Sequence, residues 1–368
     1  MSTTALAAVL NGVDESFVFE DVVLQDPRPD ELLVRIVAAG LCHTDLAVQH
    51  GHIPSAFPRV LGHEGAGVVE RVGADVTGFA EGDHVAVSFA SCGRCENCLA
   101  GRPAYCLQFM LLNIGGVRAD GTGTMALPDG GEVVGSFFGQ SSFATHALVA
   151  ARNAVKIDED VPLDLVGPLG CGIQTGAGTV LNSLGVGAGD ALVVSGTGAV
   201  GLSAIMAAKA AGATTIVAVD VLPERLEVAK RLGATHLVDG KADDVVDQIK
   251  AATGGVGAEY ALDTTAIPAV IGNLIASARF GAKIATVGVP KPDAVAPVAL
   301  FSGSGVTLVG AIEGDAVPQT FIPKLLAMYK AGEFPFDTLI TTYPFDEIEK
   351  AIADTQSGAA VKAVLVMP

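Results

Sequence analysis

Residues 191 to 201 read Ala-Leu-Val-Val-Ser-Gly196-Thr197-Gly198-Ala199-Val200-Gly201, a short apolar run that enters a G-x-G-x-x-G turn. In a chain with 45 glycines the pattern alone is weak, so its surroundings decide. A helix-forming stretch, Val200 to Ala211, follows the turn. A second apolar run, Thr215 to Val219, comes next and ends on Asp220, 19 residues beyond Gly201. That order is the dinucleotide fingerprint: the first glycine permits the tight turn, the second lets the backbone approach a pyrophosphate, and the third lets helix and strand close together. The helix N-terminus supplies positive potential for the phosphates. An acidic residue ending the second strand accepts hydrogen bonds from ribose hydroxyls and repels a 2′-phosphate, which favours NAD over NADP.

Outward from this turn the same texture continues. Apolar runs at Tyr260 to Asp263 and Lys283 to Val287 alternate with helical stretches at Pro223 to Leu232, Asp243 to Ala252 and Pro268 to Ala278. Alternation of this kind predicts an α/β domain, a doubly wound parallel sheet with helices on both faces. Residues 1 to about 150 differ. Glu31 to Ala39, Gly67 to Val72, His84 to Phe89 and Phe143 to Val149 read as short strands between Gly and Pro turns, a β-rich domain. The tail turns helical at Val317 to Lys330 and Phe345 to Thr355, then ends in an apolar strand, Val361 to Val366.

Cysteine usage points to metal. Cys92, Cys95, Cys98 and Cys106 form C-x2-C-x2-C-x7-C, while Cys42 and Cys171 stand far apart with Gly62-His63-Glu64 between them. Two disulfides are the alternative for the four-cysteine cluster, but such spacing in a chain with no basic n-region ahead of an apolar run favours a zinc knuckle. Four thiolates make a closed structural site; three protein ligands leave a position open for chemistry. We therefore expect two Zn²⁺ per subunit and a cytoplasmic protein. A formal net charge of -18 excludes nonspecific binding to nucleic acid, which requires clustered cations. No unbroken apolar stretch reaches the roughly 18 residues of a membrane span.

Gly62-His63-Glu64-Gly65-Ala66-Gly67, followed by Gly73 and Val76, fits G-H-E-x2-G-x5-G-x2-V without a mismatch. With the cysteine lobe and the nucleotide fingerprint, the chain resembles the zinc-containing medium-chain alcohol dehydrogenases, most of all the bacterial aryl-alcohol (benzyl-alcohol) dehydrogenases. The resemblance implies a GroES-like catalytic domain (1–172 and 313–368) with a zinc lobe at about 90–110, a Rossmann NAD-binding domain (173–312), and an active-site cleft where they meet. It implies that Cys42, His63 and Cys171 bind the catalytic zinc, that Thr44 receives the substrate proton, that Asp45 orients His63, and that Glu64 is the acidic neighbour of the metal. On the cofactor side it implies Thr175 and Val200 behind the nicotinamide, Val287 and Val289 beside it, Gly196, Gly198, Ala199 and Gly201 in the phosphate turn, and Asp220 and Arg225 at the adenosine ribose. His43, an arginine in many relatives, and Lys362 are expected to face the pyrophosphate.

The substrate wall implied by the resemblance is Ile53, Ser88 or the adjacent Phe89, Met110, Leu111, Phe137, Phe138, Val289 and Ile312. Nearly all are apolar, which suits aryl, allylic or terpenoid primary alcohols and their aldehydes. Many relatives relay the proton to a histidine five residues after the first zinc ligand; here Ala47 stands there, and a water-completed path is expected. Met110 argues against the related thiol-adduct formaldehyde dehydrogenases, which place a basic residue nearby. Survival of all three catalytic-zinc ligands argues against a noncatalytic nucleotide-binding relative. Val295 to Val309 matches the region through which the family extends its sheet across a dimer, so a homodimer or homotetramer is expected.

Overall fold

The computed structural model describes residues 3–291, 294, 295 and 298–368 and resolves two compact units. The first comprises Met1–Cys171, Val317–Pro323 and Asp337–Pro368; the second comprises Gly172–Ala316 and Lys324–Phe336.

In the second unit the strand Ala191–Ser195 pairs in parallel with Thr215–Asp220 on one side and Ala258–Asp263 on the other. The six strands lie in the order His236–Asp239, Thr215–Asp220, Ala191–Ser195, Ala258–Asp263, Ala278–Thr286, Thr307–Gly310. The sheet therefore reverses direction beside Ala191–Ser195, the point at which doubly wound sheets bind ligands beyond their carboxyl ends. Val193, Val217 and Ile284 are buried within this sheet, and Leu274 and Ile275 of the helix Pro268–Ser277 join the same core. Helix Val245–Ala252 starts two residues later than the sequence suggests, with Asp244 at the N-cap position, its carboxylate accepting from Gln248 Nε2 (2.7 Å).

The first unit is built on two sheets. A seven-stranded sheet runs Ile340–Pro344, Lys362–Val366, Glu31–Gly40, Gly65–Val72, His84–Val87, Ala154–Lys156, with His146–Ala150 also on Glu31–Gly40. A four-stranded sheet runs Arg59–Val60, Thr3–Leu10, Val18–Leu24, Met125–Ala126. Alternating burial along Glu31–Gly40 has almost vanished, as a central strand covered on both faces requires. The C-terminal strand pairs Val364 with Gly40, and Leu41 N–H donates to Ala363 O (2.9 Å), so the tail delivers Lys362 to the start of the helix His43–Gln49.

Three expectations shift. Phe143 is not in a strand; it is a core side chain edge-on to Phe17 (6.1 Å), and the strand begins at His146. The final helix divides into a 3-10 turn, Phe345–Glu347, and the α-helix Ile348–Ser357. Lys324–Phe336 groups with the second unit although the sequence reading assigned all of 313–368 to the first: Phe334 and Phe336 are fully buried there, and Tyr329 packs on Phe336 at 4.8 Å. Ala296 and Pro297, within the expected pairing segment, lie outside the described residues. Among the described residues no helix is long and apolar enough to cross a membrane.

Candidate metal centres and nucleotide turn

The first centre is organised by one carboxylate. Asp45, in the first turn of His43–Gln49, is fully buried; its Oδ2 accepts from Cys42 N–H (3.0 Å), and its Oδ1 accepts from Gly62 N–H and His63 Nδ1, both at 3.0 Å. A carboxylate on Nδ1 fixes the imidazole tautomer and turns Nε2 outward as a lone-pair donor. That Nε2 is buried and has no hydrogen-bond partner. Such an atom is costly unless something takes its lone pair. The ligand atoms of Cys42, His63, Glu64 and Cys171 all lie within 4.8 Å of one another, a soft Cys2His set with a carboxylate beside it. This donor set fits Zn²⁺ with an open position.

The electrostatics favour a thiolate at Cys42 and, with no cation among the donors, a proton on His63. A hydrogen bond from Cys171 holds the Cys42 thiol well below its ordinary range despite burial, with His63 and Lys362 adding positive potential. Burial opposes charge on His63, but the Asp45 carboxylate and the Cys42 thiolate outweigh it and push the imidazole up. Cys171 is set in place by the turn Gly167–Gly170, whose last carbonyl accepts from Ser88 Oγ at 2.6 Å. Thr44 Oγ1 lies 3.8 Å from Cys42 Sγ, and Thr44 is half-buried.

Lys362 departs from expectation. Its side chain is only 4 % exposed, and its ammonium donates to both Glu64 oxygens (2.9 Å each) and to Leu41 O (3.0 Å). All three N–H donors are spent inward, leaving none for a pyrophosphate. Burial raises the Glu64 carboxyl to about 7 against the pull of this ammonium, while Lys362, buried but paired, is held charged above its usual range. His43, by contrast, is exposed at the start of its helix.

Aromatic rings enclose the imidazole. Phe138 stacks on His63 (4.5 Å, 29°), and Phe137 meets it edge-on (5.4 Å, 88°). Phe138 holds φ +50, a conformation that non-glycine residues adopt only when their surroundings enforce it. Gln140 and Ser141 enforce it. Gln140 Nε2 donates to His63 O and its Oε1 accepts from Gly65 N–H, each at 2.9 Å, clamping the backbone on both sides of Glu64. Ser141 Oγ donates to Val60 O (2.7 Å) and accepts from Phe137 N–H (2.8 Å). Sequence reasoning missed both residues; the available signal was a polar Gln-Ser-Ser run one glycine beyond two phenylalanines.

The expected substrate wall is redistributed. Phe137 is fully buried between His63 and the Arg59 guanidinium, 5.0 Å from its ring, so it is packing and not wall. Arg59 itself is buried, and desolvation lowers it to about 10 against the opposing charge of Asp45. Phe89 and Ser88 are buried as well, Phe89 facing Phe109. Ile53 is half-buried, Phe138 turns its ring to His63, and Met110 and Leu111 are exposed on the π-helical turn Met110–Ile114. In the second unit Val289 and Ile312 are exposed.

The second centre is the four-cysteine lobe. All six cysteines are free thiols, and the four sulfurs lie within 4.8 Å of one another. Backbone N–H groups donate to them: Cys92 N to Cys106 Sγ (3.2 Å), Cys95 N to Cys92 Sγ (3.3 Å) and Gln108 N to Cys106 Sγ (3.4 Å). Backbone donors from Leu107 and Cys98 bring the Cys95 thiol down to about 6, while burial and the neighbouring Cys95 push Cys98 up to about 12. Four sulfurs so close cannot all ionise without a cation among them, which is the environment a structural Zn²⁺ satisfies. Asn97 Nδ2 pins the lobe on Tyr105 O (2.7 Å).

In the second unit Gly196 takes φ +85 between Ala191–Ser195 and the helix Ala199–Ala210, and a Cβ at Gly201 would strike the Gly196 carbonyl oxygen. Gly198, at the helix N-cap, would bring a Cβ no nearer than 3.5 Å to any side chain, so the interior does not demand glycine there, and the backbone is left open to close approach. Asp220 Oδ2 accepts from Thr197 N–H (2.6 Å) and Oγ1 (2.7 Å), and Arg225 Nη1 donates to Thr197 O (3.3 Å). Ala199 and Val200 open the helix, Thr175 is buried in the helix Gly172–Gly178, and Val287 N–H donates to Asp263 O (3.1 Å). Beside Asp220 lies a cavity of about 160 Å³, its lining mostly apolar and including Val221, Ile267 and Val270.

Comparison with known proteins agrees with this geometry. The alcohol dehydrogenase GroES-like domain family matches residues 28–159, and the zinc-binding dehydrogenase family matches residues 199–331. The chain is 49 % identical over 366 residues to a geraniol dehydrogenase of Castellaniella defragrans, covering 99 % of this chain and 98 % of that one. Among solved structures it is similar to an alcohol dehydrogenase zinc-binding domain protein from Burkholderia ambifaria (48 % identity, TM-score 0.97, 100 % of both chains). It is similar also to a benzyl alcohol dehydrogenase from Acinetobacter calcoaceticus (42 % identity, TM-score 0.95, 100 % of both chains).

Proposed function

This chain belongs to the zinc-binding medium-chain alcohol dehydrogenases, and on that premise we propose that it oxidises hydrophobic primary alcohols, aryl, allylic or terpenoid, to aldehydes with NAD, reversibly. The observation that carries the reading is the buried, unpartnered His63 Nε2 beside the Cys42 and Cys171 sulfurs. Cys42, His63 and Cys171 would hold zinc, which would supply a Lewis acid for the alcohol oxygen, and bound NAD would supply the hydride acceptor.

The chain's own residues do the remainder. Asp45 keeps His63 in one tautomer and one orientation, so its ligand lone pair is ready before substrate arrives. Thr44, beside Cys42, offers the hydroxyl that takes the alcohol proton. Ala47 is buried, and His50 is tied to Asp14 (2.7 Å) at the surface, so from Thr44 the proton passes to water and not to a histidine. Gly196 and Gly198 open the backbone to a pyrophosphate, and the Asp220 carboxylate selects NAD by repelling a 2′-phosphate.

The substrate class rests on similarity and chemistry together. Relatives at 49 and 42 % identity are a geraniol and a benzyl alcohol dehydrogenase. Met110 and Leu111 offer exposed apolar surface within the first unit, while Phe138 buttresses the metal ligand. Thr307–Gly310 is an edge strand of the second unit's sheet, and pairing of this edge with a second copy is the assembly we favour. We place the protein in the cytoplasm on its free, clustered thiols.

The test is NADH formation from benzyl alcohol by the metal-replete protein, repeated with NADP and after zinc chelation. Turnover that prefers NAD and is abolished by the chelator supports the proposal. Chelator-resistant turnover, or a preference for NADP, contradicts it.

A further inference from the structure

A second cavity, of about 330 Å³, lies in the first unit and is lined by none of the residues of the Cys42–His63–Cys171 centre. Four arginines line it, Arg28, Arg94, Arg118 and Arg152, in a chain whose formal charge is -18. Two of them are neutralised: Arg28 by Asp120 (2.9 Å), and Arg118 by Glu31 through two bonds (2.6 and 2.9 Å). Among the described residues that line the cavity only Asp30 stands against the remaining pair, so this lining carries one excess positive charge.

Arg94 is exposed and forms no ion pair among the described residues. Arg152 donates from Nη1 to Cys92 O (2.6 Å) and lies against Gly93, which brings its guanidinium to the peptide next to Arg94. The remaining feature is Asn153. The residue is 3 % exposed, it lines the same cavity, and its Oδ1 is buried without a hydrogen-bond partner. An orphan acceptor beside the Arg94 guanidinium, and beside an Arg152 guanidinium with one Nη1 bond committed to Cys92 O, calls for a ligand that is anionic yet still carries an O–H.

We propose that this cavity is a binding site for a protonated phosphate, with inorganic hydrogen phosphate the simplest ligand. Arg94 and Arg152 donate to its charged oxygens, and Asn153 Oδ1 accepts from its P–OH. Sulfate has the same size and charge at neutral pH but no proton to give, so it satisfies the arginines and leaves Asn153 orphaned. Because Arg152 also holds the Cys92 carbonyl, the ligand would brace the four-cysteine lobe.

The experiment is calorimetric titration of the zinc-loaded holoenzyme, saturated with NADH to occupy the phosphate turn, with inorganic phosphate and separately with sulfate. The same titrations are run on Arg94→Gln and Arg152→Gln, with retained zinc content as the folding control. We expect one phosphate per chain, weaker binding of sulfate, and a loss of about tenfold or more in each variant, as befits removal of one charge-assisted contact. Absence of phosphate binding to the wild-type protein, unchanged affinity in both variants, or sulfate binding as tightly as phosphate would each overturn the assignment.

Discussion

Asp45→Asn isolates the group that organises the catalytic centre. The carboxylate accepts three hydrogen bonds: Oδ1 from Gly62 N–H and His63 Nδ1, Oδ2 from Cys42 N–H. An asparagine can keep its oxygen toward Gly62 and His63, but its NH2 then faces the Cys42 N–H, donor against donor. The two retained bonds lose their charge assistance, about 1 kcal/mol each, and the buried Cys42 donor left unpaired costs about 1 to 3 kcal/mol more. Turning the amide over strands two donors where the first arrangement strands one. The expected loss is therefore about 3 to 5 kcal/mol, part of it in folding and part in metal binding, the latter on the order of 10- to 100-fold. The assay is competition for zinc by a chromogenic chelator, with the four-cysteine zinc as internal reference. Fast release of one zinc at an unchanged rate for the other is the predicted result. Wild-type retention of both zincs by Asp45→Asn would refute the reasoning, because the ligand geometry would then not depend on the carboxylate.

Cys98→Ser should lower zinc content from two per chain to one and open residues 92–106 to proteolysis, while the Cys42–His63–Cys171 zinc persists; elemental analysis with limited proteolysis reads both. Asp220→Ser should raise kcat/KM with NADP on the order of tenfold by removing a like charge, and lower it with NAD; an unchanged cofactor ratio would remove Asp220 from recognition. Asp120 is held near 2, first by hydrogen bonds from Thr122 and then by Arg28, below the ordinary 3.8. A depressed carboxylate contributes stability that is present above its unfolded pKa and lost as pH falls through the folded one. The stability difference between wild type and Asp120→Asn should therefore be full above about pH 3.8, shrink as pH falls from 3.8 to about 2, and disappear below that.

The nucleotide-binding sheet was legible because its information is local. Gly196 to Gly201 carries its turn in the glycine spacing, and Asp220 ends the very next strand, so neither depends on distant packing. The metal ligands were legible for another reason: thiolate and imidazole are scarce, and six cysteines divide cleanly between two sites. What could not be read was which neighbours a buried charge chooses. Lys362 looked available for phosphate, yet strand pairing of Val364 with Gly40 carries its ammonium onto Glu64, a residue 298 positions away. Phe137 and Phe138 looked alike in sequence. A backbone at φ +50 separates them, sending Phe138 flat onto His63 while Phe137 packs its edge between that ring and Arg59. Gln140 carries no motif at all, because its role is to pair backbone atoms that only the fold brings near it.

The central claim, zinc-dependent oxidation of hydrophobic primary alcohols, is tested most directly by the kcat/KM of the metal-replete enzyme for geraniol and for ethanol with NAD. Each methylene buried in an apolar pocket is worth about 1 to 3 kcal/mol, so geraniol should exceed ethanol by orders of magnitude. Equal values, or a preference for ethanol, would contradict the account.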